Sequence, residues 1–153
     1  MQGTQTSDDQ GATTTRTNFR LKAGLQTALG EPVLALQQLL NEVVSAIRGA
    51  DGVVLIAADG EAVAWHSTDN PERLRLRGAY IAVVLRASQL ATSQFGAGDV
   101  KHLFLCYEGA TFLAHEIGGG YFAVVELEPS ANLAEALHRL RPFAEKIRAE
   151  VGA

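Results

Sequence analysis

Cysteine is nearly missing: the chain has one, Cys106, in 153 residues. That excludes an internal disulfide and any zinc site built on several thiolates. A basic excess is missing too. Thirteen Lys and Arg against 17 Asp and Glu leave a net charge of -4, which argues against a general nucleic-acid binder. No apolar run approaches the roughly 18 residues of a membrane span, and no signal-peptide apolar core follows Met1. Lysine is scarce beside arginine, three against ten, which reflects genome composition more than function. What is there, 47 % apolar and 20 % charged residues, is the make-up of an ordinary globular chain. The length of 153 residues suits one domain and a tail. The chain is expected to be cytoplasmic.

The first 18 residues hold no Leu, Ile, Val or Phe and are rich in Thr, Gln, Asp and Gly. Such a segment buries too little apolar surface to offset its ordering entropy, so it is expected to be disordered. Phe19, Leu25 and Leu29 recur near helical spacing. They read either as a docking helix for a partner or as a frayed lead-in closed by Gly30 and Pro32. Residues 1–31 are therefore taken as tail and residues 32–153 as the domain.

Regular patterning starts at Val33. Leu36, Leu40, Val43 and Ile47 mark an amphipathic helix ending at Gly49, a left-handed cap. The apolar runs 53–57 and 62–65 flank Asp59-Gly60, a hairpin signal in which both central residues are expected at positive φ. Asn70, Pro71 and Glu72 start a helix that runs to about Phe95 and stops at Gly96 or Gly98. Strands follow at Val100–Tyr107, Thr111–Ile117 and Tyr121–Leu127, joined by short turns. Asn132 caps a last helix, with Glu135 three residues on; Pro142 interrupts it, and a kink is expected near Arg139. The fold class is α+β: a five-stranded, mainly antiparallel sheet in the order α-β-β-α-β-β-β-α.

Several strands are apolar on both faces. In the third, Val100, Phe104 and Cys106 are expected on one face and Leu103, Leu105 and Tyr107 on the other. Both faces therefore need cover. Five strands span roughly 24 Å and a helix is about 10 Å wide, so two helices nearly cover a face and one leaves about half open. With three helices, one face receives two and the other one. The middle helix shows the shortage from its own side. Leu74, Ile81, Leu85 and Ser88 form its sheet-facing stripe, yet Tyr80, Val83, Val84, Ala87, Leu90 and Ala91 are apolar around it. A helix that is apolar on most sides is buried on more than one. A two-fold copy of the same helix supplies the missing cover, so the chain is expected to be a homodimer through this helix. The interface is assigned to Tyr80, Val83, Val84, Ala87, Leu90 and Ala91, with Phe104 on the nearby third strand.

With its leading helix, Gly52-Val53-Val54-Leu55-Ile56, the Asp59-Gly60 hairpin, the helix after Trp65 and Gly118-Gly119-Gly120-Tyr121-Phe122-Ala123-Val124-Val125 before a final helix, the chain resembles the roadblock family over about residues 33–150. That resemblance implies a five-stranded antiparallel sheet between one helix and a pair, and dimers made through the middle helix and third strand. It implies a non-enzymatic platform without cofactor whose bacterial relatives regulate small Ras-like GTPases, acting as a clamp on the GTPase's own groups without a donated arginine. The Thr-rich tail departs from the family pattern. The family has no invariant polar site to carry over.

Chemistry is sparse. The four histidines have no ligand spacing, although His102 and His115 fall on adjacent strands where a metal site is conceivable. Gly118 to Gly120 lacks the helix and the Lys-Ser or Lys-Thr of a phosphate loop and reads as a hairpin. Cys106 reads as a buried strand cysteine, and Glu116 and Glu126 as solvated or rim carboxylates. Arg73, Arg77 and Arg86 of the middle helix are assigned to binding an acidic partner surface, against the plainer reading of a solvated edge that Arg75 shares. The favoured function is a dimeric regulator or scaffold for a Ras-like GTPase. The alternative is a small-molecule sensor of PAS or GAF type, whose strands line a cavity.

Overall fold

The elements follow the expected order: α1 (Gly30–Ala46), β1 (Ala50–Ile56), β2 (Ala62–Ser67), α2 (Pro71–Gln94), β3 (His102–Cys106), β4 (Thr111–Gly118), β5 (Tyr121–Leu127) and α3 (Leu133–Val151). The computed structural model describes residues 30–153, with side chains from Leu34 onward. The tail reading of residues 1–18 and the helix reading of 19–29 lie outside the described residues. Gly30 and Pro32, expected to close a lead-in, instead lie within α1.

One antiparallel sheet runs β2-β1-β5-β4-β3. Adjacent apolar residues on each strand point to opposite faces, and two cores result. On one face α1 and α3 pack Leu40, Val43, Leu140 and Ile147 against Val53, Leu113, Val125 and Leu127. On the other, α2 packs Leu74, Ile81 and Leu85 against Val54, Ile56 and Val124. The face with one helix and the face with two are thus as the strand chemistry requires.

The helix starts match the sequence signals. Asn70 Oδ1 accepts from Arg73 N at 3.1 Å, with Pro71 at the first helical position. Asn132 Oδ1 accepts from Glu135 N at 3.0 Å. Helix α3 runs as one element through Pro142. The turns divide differently from expectation. Gly119 and Gly120 both have positive φ in a two-residue β4–β5 hairpin. At Asp59-Gly60 only Gly60 is positive. There Gly60 N donates to Ala57 O at 2.9 Å and Asp59 Oδ1 accepts from Glu61 N at 3.0 Å. This is a longer loop ending in a left-handed glycine, so the register shifts at Ile56.

Gly78 sets how closely α2 approaches the sheet. A Cβ there would stand 2.7 Å from Val54 Cγ1, and Val54 is fully buried. Alanine gains up to about 1 kcal/mol of helix propensity, but overpacking a filled core costs about 1–3 kcal/mol. Gly78→Ala is therefore expected to lower the urea midpoint. Adding Val54→Ala should give less than the sum of the two single losses, and strict additivity would count against this contact.

Candidate functional site: the outer face of the middle helix

Helix α2 has two stripes with the same spacing. Leu74, Gly78, Ile81 and Leu85 are buried against the sheet. Leu76, Tyr80, Val83, Ala87 and Leu90 repeat at intervals of four and three on the side turned away from it. They are exposed: Leu76 58 %, Tyr80 66 %, Val83 66 % and Leu90 64 %. Steps of four and three are the spacing by which one helix packs along another. A row this long in water forfeits several kcal/mol at roughly 1.5–3 kcal/mol per large apolar side chain.

The flanks of α2 differ. Toward β2, the Arg75 guanidinium lies 4.2 Å from the Trp65 ring centre, and Arg86 Nη2 donates to Ala58 O at 3.3 Å. Toward β4, Arg77, Tyr80, Ile81, Tyr107 and Phe112 line an open cleft of about 320 Å³, with the Tyr107 and Phe112 rings edge to face at 6.2 Å. The helix packs mainly on β1 and β2 and little on β5. Leu103 and Leu105 of β3 are only half-buried on this side, and β3 forms an edge of the sheet among the described residues.

No protein-family model matches the chain, and no curated protein sequence matches it. Solved structures do. A roadblock/LC7 domain from Streptomyces avermitilis superposes with a TM-score of 0.70 at 18 % identity, covering 76 % of this chain and 98 % of that one. The gliding protein MglB from Thermus thermophilus gives 0.72 at 18 %, covering 80 % and 93 %. MglC from Myxococcus xanthus gives 0.56 at 24 %, covering 74 % and 96 %. The chain has the roadblock fold.

Within this roadblock fold the residues assigned to an interface do not all fall together. Tyr80, Val83, Ala87 and Leu90 share the outer stripe, Ala91 is exposed beside it, and Val84 is half-buried. Phe104 lies on the opposite sheet face, packed against the α1 and α3 core. Leu76 belongs to the stripe and was missed. Its signal was the spacing of four to Tyr80, masked by the arginines on either side.

The arginines part company as well. Arg73 pairs with exposed Asp69 at 2.6 Å. Arg77 is committed inward to Glu126, whose side chain is almost fully buried. Glu126 is therefore no rim carboxylate: its strand position turns it under α2, where Arg77 meets it. Glu116 pairs with Lys101 at 2.7 Å and stands opposite Phe122. Cys106 is exposed, against expectation, because it ends an edge strand. Val100 precedes β3 and packs with Leu103 and Leu105 instead of Phe104.

Among the described residues no group of three or more His, Cys, Asp or Glu is arranged to hold a metal. No described helix is long and apolar enough to cross a membrane. His102 and His115 are cross-strand partners with ring centres 6.4 Å apart. Burial, then the like charges of His102 and Arg141, push His115 below the usual histidine value of 6.5. The unfolded chain therefore takes up this proton first as pH falls through about 6.5, and stability present above that pH declines below it. The melting temperature of the wild type is expected to fall more between about pH 7.5 and about pH 5.5 than that of His115→Gln. Equal slopes would clear His115 of the effect.

Proposed function

We propose that this chain is a dimeric, non-enzymatic regulator or scaffold that binds a Ras-like small GTPase and modulates its GTP hydrolysis. The observation that carries the reading is the outer stripe of α2, an apolar row with helix-pairing spacing and nothing over it among the described residues. A second copy of the same helix, related by a two-fold axis, meets it with the same row. The pair of helices then forms a platform whose rim carries Arg73 and Arg86, charges suited to an acidic partner surface. Arg77 is occupied by Glu126, so it braces the helix and leaves partner contact to its neighbours. The fold is shared with MglB, which supports the reading at the level of architecture. The sensor alternative needs a cavity between helix and sheet. Side chains of Leu74, Ile81, Leu85, Val54, Ile56 and Val124 fill that space over β1 and β5, and the cleft toward β4 lies open to solvent.

The test is size-exclusion light scattering of the full chain mixed with Ras-like GTPases from its own genome, loaded with GTP or GDP, with hydrolysis rates measured in parallel. Co-elution with one nucleotide state, weakened by the double variant Arg73→Glu/Arg86→Glu, is the expected result. A dimer that captures none of them at tens of micromolar would sink the GTPase assignment and leave the dimer standing.

A further inference from the structure

On the sheet face opposite α2, a second cleft of about 680 Å³ opens between α3 and β4, within the range of about 300–1,000 Å³ usual for small-molecule sites. Lys101, His115, His138, Arg141 and Arg148 line it, a cationic cluster in a chain of net charge -4. Its two carboxylates are already engaged. Glu116 holds Lys101 at 2.7 Å, and Glu145 lies 3.4 Å from Arg148, whose Nε also donates to Ile117 O. Among the described residues, the side chains of Arg141 and His138 have neither a hydrogen bond nor an ion pair. His115 Nδ1 is buried and has no partner. With the carboxylates matched by Lys101 and Arg148, the Arg141 guanidinium is left over, a planar fork of donors aimed at no acceptor.

We propose that the α3–β4 cleft binds a phosphate monoester, held by Arg141 with His115 and His138. A buried nitrogen without a partner is costly, and here it sits beside an unpaired guanidinium and a second imidazole. The set offers a guanidinium fork and two imidazoles, and its two carboxylates are already engaged by cations. A tetrahedral dianion with several acceptor oxygens answers that set more fully than a flat carboxylate. Charges on every neighbouring element bear on it: His102 on β3, Glu116 on β4, Arg141, Glu145 and Arg148 on α3. His102 and Arg141 now disfavour a proton on His115, and a bound dianion reverses that, so His115 titrates at higher pH when phosphate is present. The cleft faces away from the α2 platform, so the inference stands or falls apart from the GTPase reading.

The experiment is an NMR titration of the full chain near neutral pH, following the ring protons of His115 and His138. Inorganic phosphate and a short phosphoserine peptide are added in separate arms, against sodium chloride at matched ionic strength. Saturable shifts of both rings are expected, at least about tenfold weaker in Arg141→Ala and unchanged in Arg48→Ala, on the loop after α1. Comparable binding in both arms means that the phosphate group of a small molecule suffices. Tighter binding of the peptide means that the source is a phosphorylated side chain. Shifts that chloride reproduces, or that persist undiminished in Arg141→Ala, overturn the proposal.

Discussion

Val83→Glu is expected to run as a monomer at micromolar concentration where the wild type runs as a dimer. Val83 is 66 % exposed in the single chain, so the change leaves the protomer's core untouched and its melting curve nearly unmoved. Val83 is the middle residue of the outer stripe, so in the proposed pair of helices each dimer would receive two carboxylates within an apolar row. A dimer of micromolar affinity is held by about 8 kcal/mol, and an unpaired buried charge costs several kcal/mol. The dissociation constant should therefore rise by about a thousandfold or more. Light scattering after size exclusion reads the outcome directly. A wild type that is itself monomeric at that concentration would remove the dimer, and with it the platform on which the GTPase reading rests.

Arg77→Ala is expected to give the largest loss of folding stability among surface changes on α2. Glu126 is 6 % exposed on β5, and Arg77 is the cation that meets it. Breaking a buried pair from one side costs about 3–5 kcal/mol. Arg77 keeps 39 % of its side chain in water, so solvent screening lowers the figure to about 2–3 kcal/mol. Urea unfolding of Arg77→Ala should show that loss, and Arg77→Ala combined with Glu126→Leu should recover part of it by removing the stranded charge. A loss within about 0.5 kcal/mol would mean that Arg77 is not needed by the fold and is free for a partner.

The sheet and its covers were legible because they rest on local pattern. Both asparagine caps, the stops at Gly96 and Gly98 and the two stripes of α2 can be counted along the chain. The triple glycine could be read as a hairpin because only glycine adopts three successive positive φ values without strain. What stayed hidden depends on distance across the fold. Glu126 looked like a rim carboxylate at a strand end, and only Arg77, 49 residues upstream, makes its burial tolerable. Cys106 and Phe104 have the same apolar character in sequence, yet the α1 and α3 core reaches one and not the other. The cationic cleft was invisible for the same reason: His115 and Arg141 lie on different elements, and their spacing carries no motif.

The two edges of the sheet are unequal. On β2 the Trp65 carbonyl is taken by Gln37 Nε2 of α1 at 2.8 Å, while among the described residues no side chain does this for β3. An open strand edge invites another strand. With one edge partly engaged and one bare, a second copy pairing edge to edge is expected to use β3, and a pair joined β3 to β3 would leave the β2 edges outward. In such a pair the bare edge that invites a second copy is used up by it.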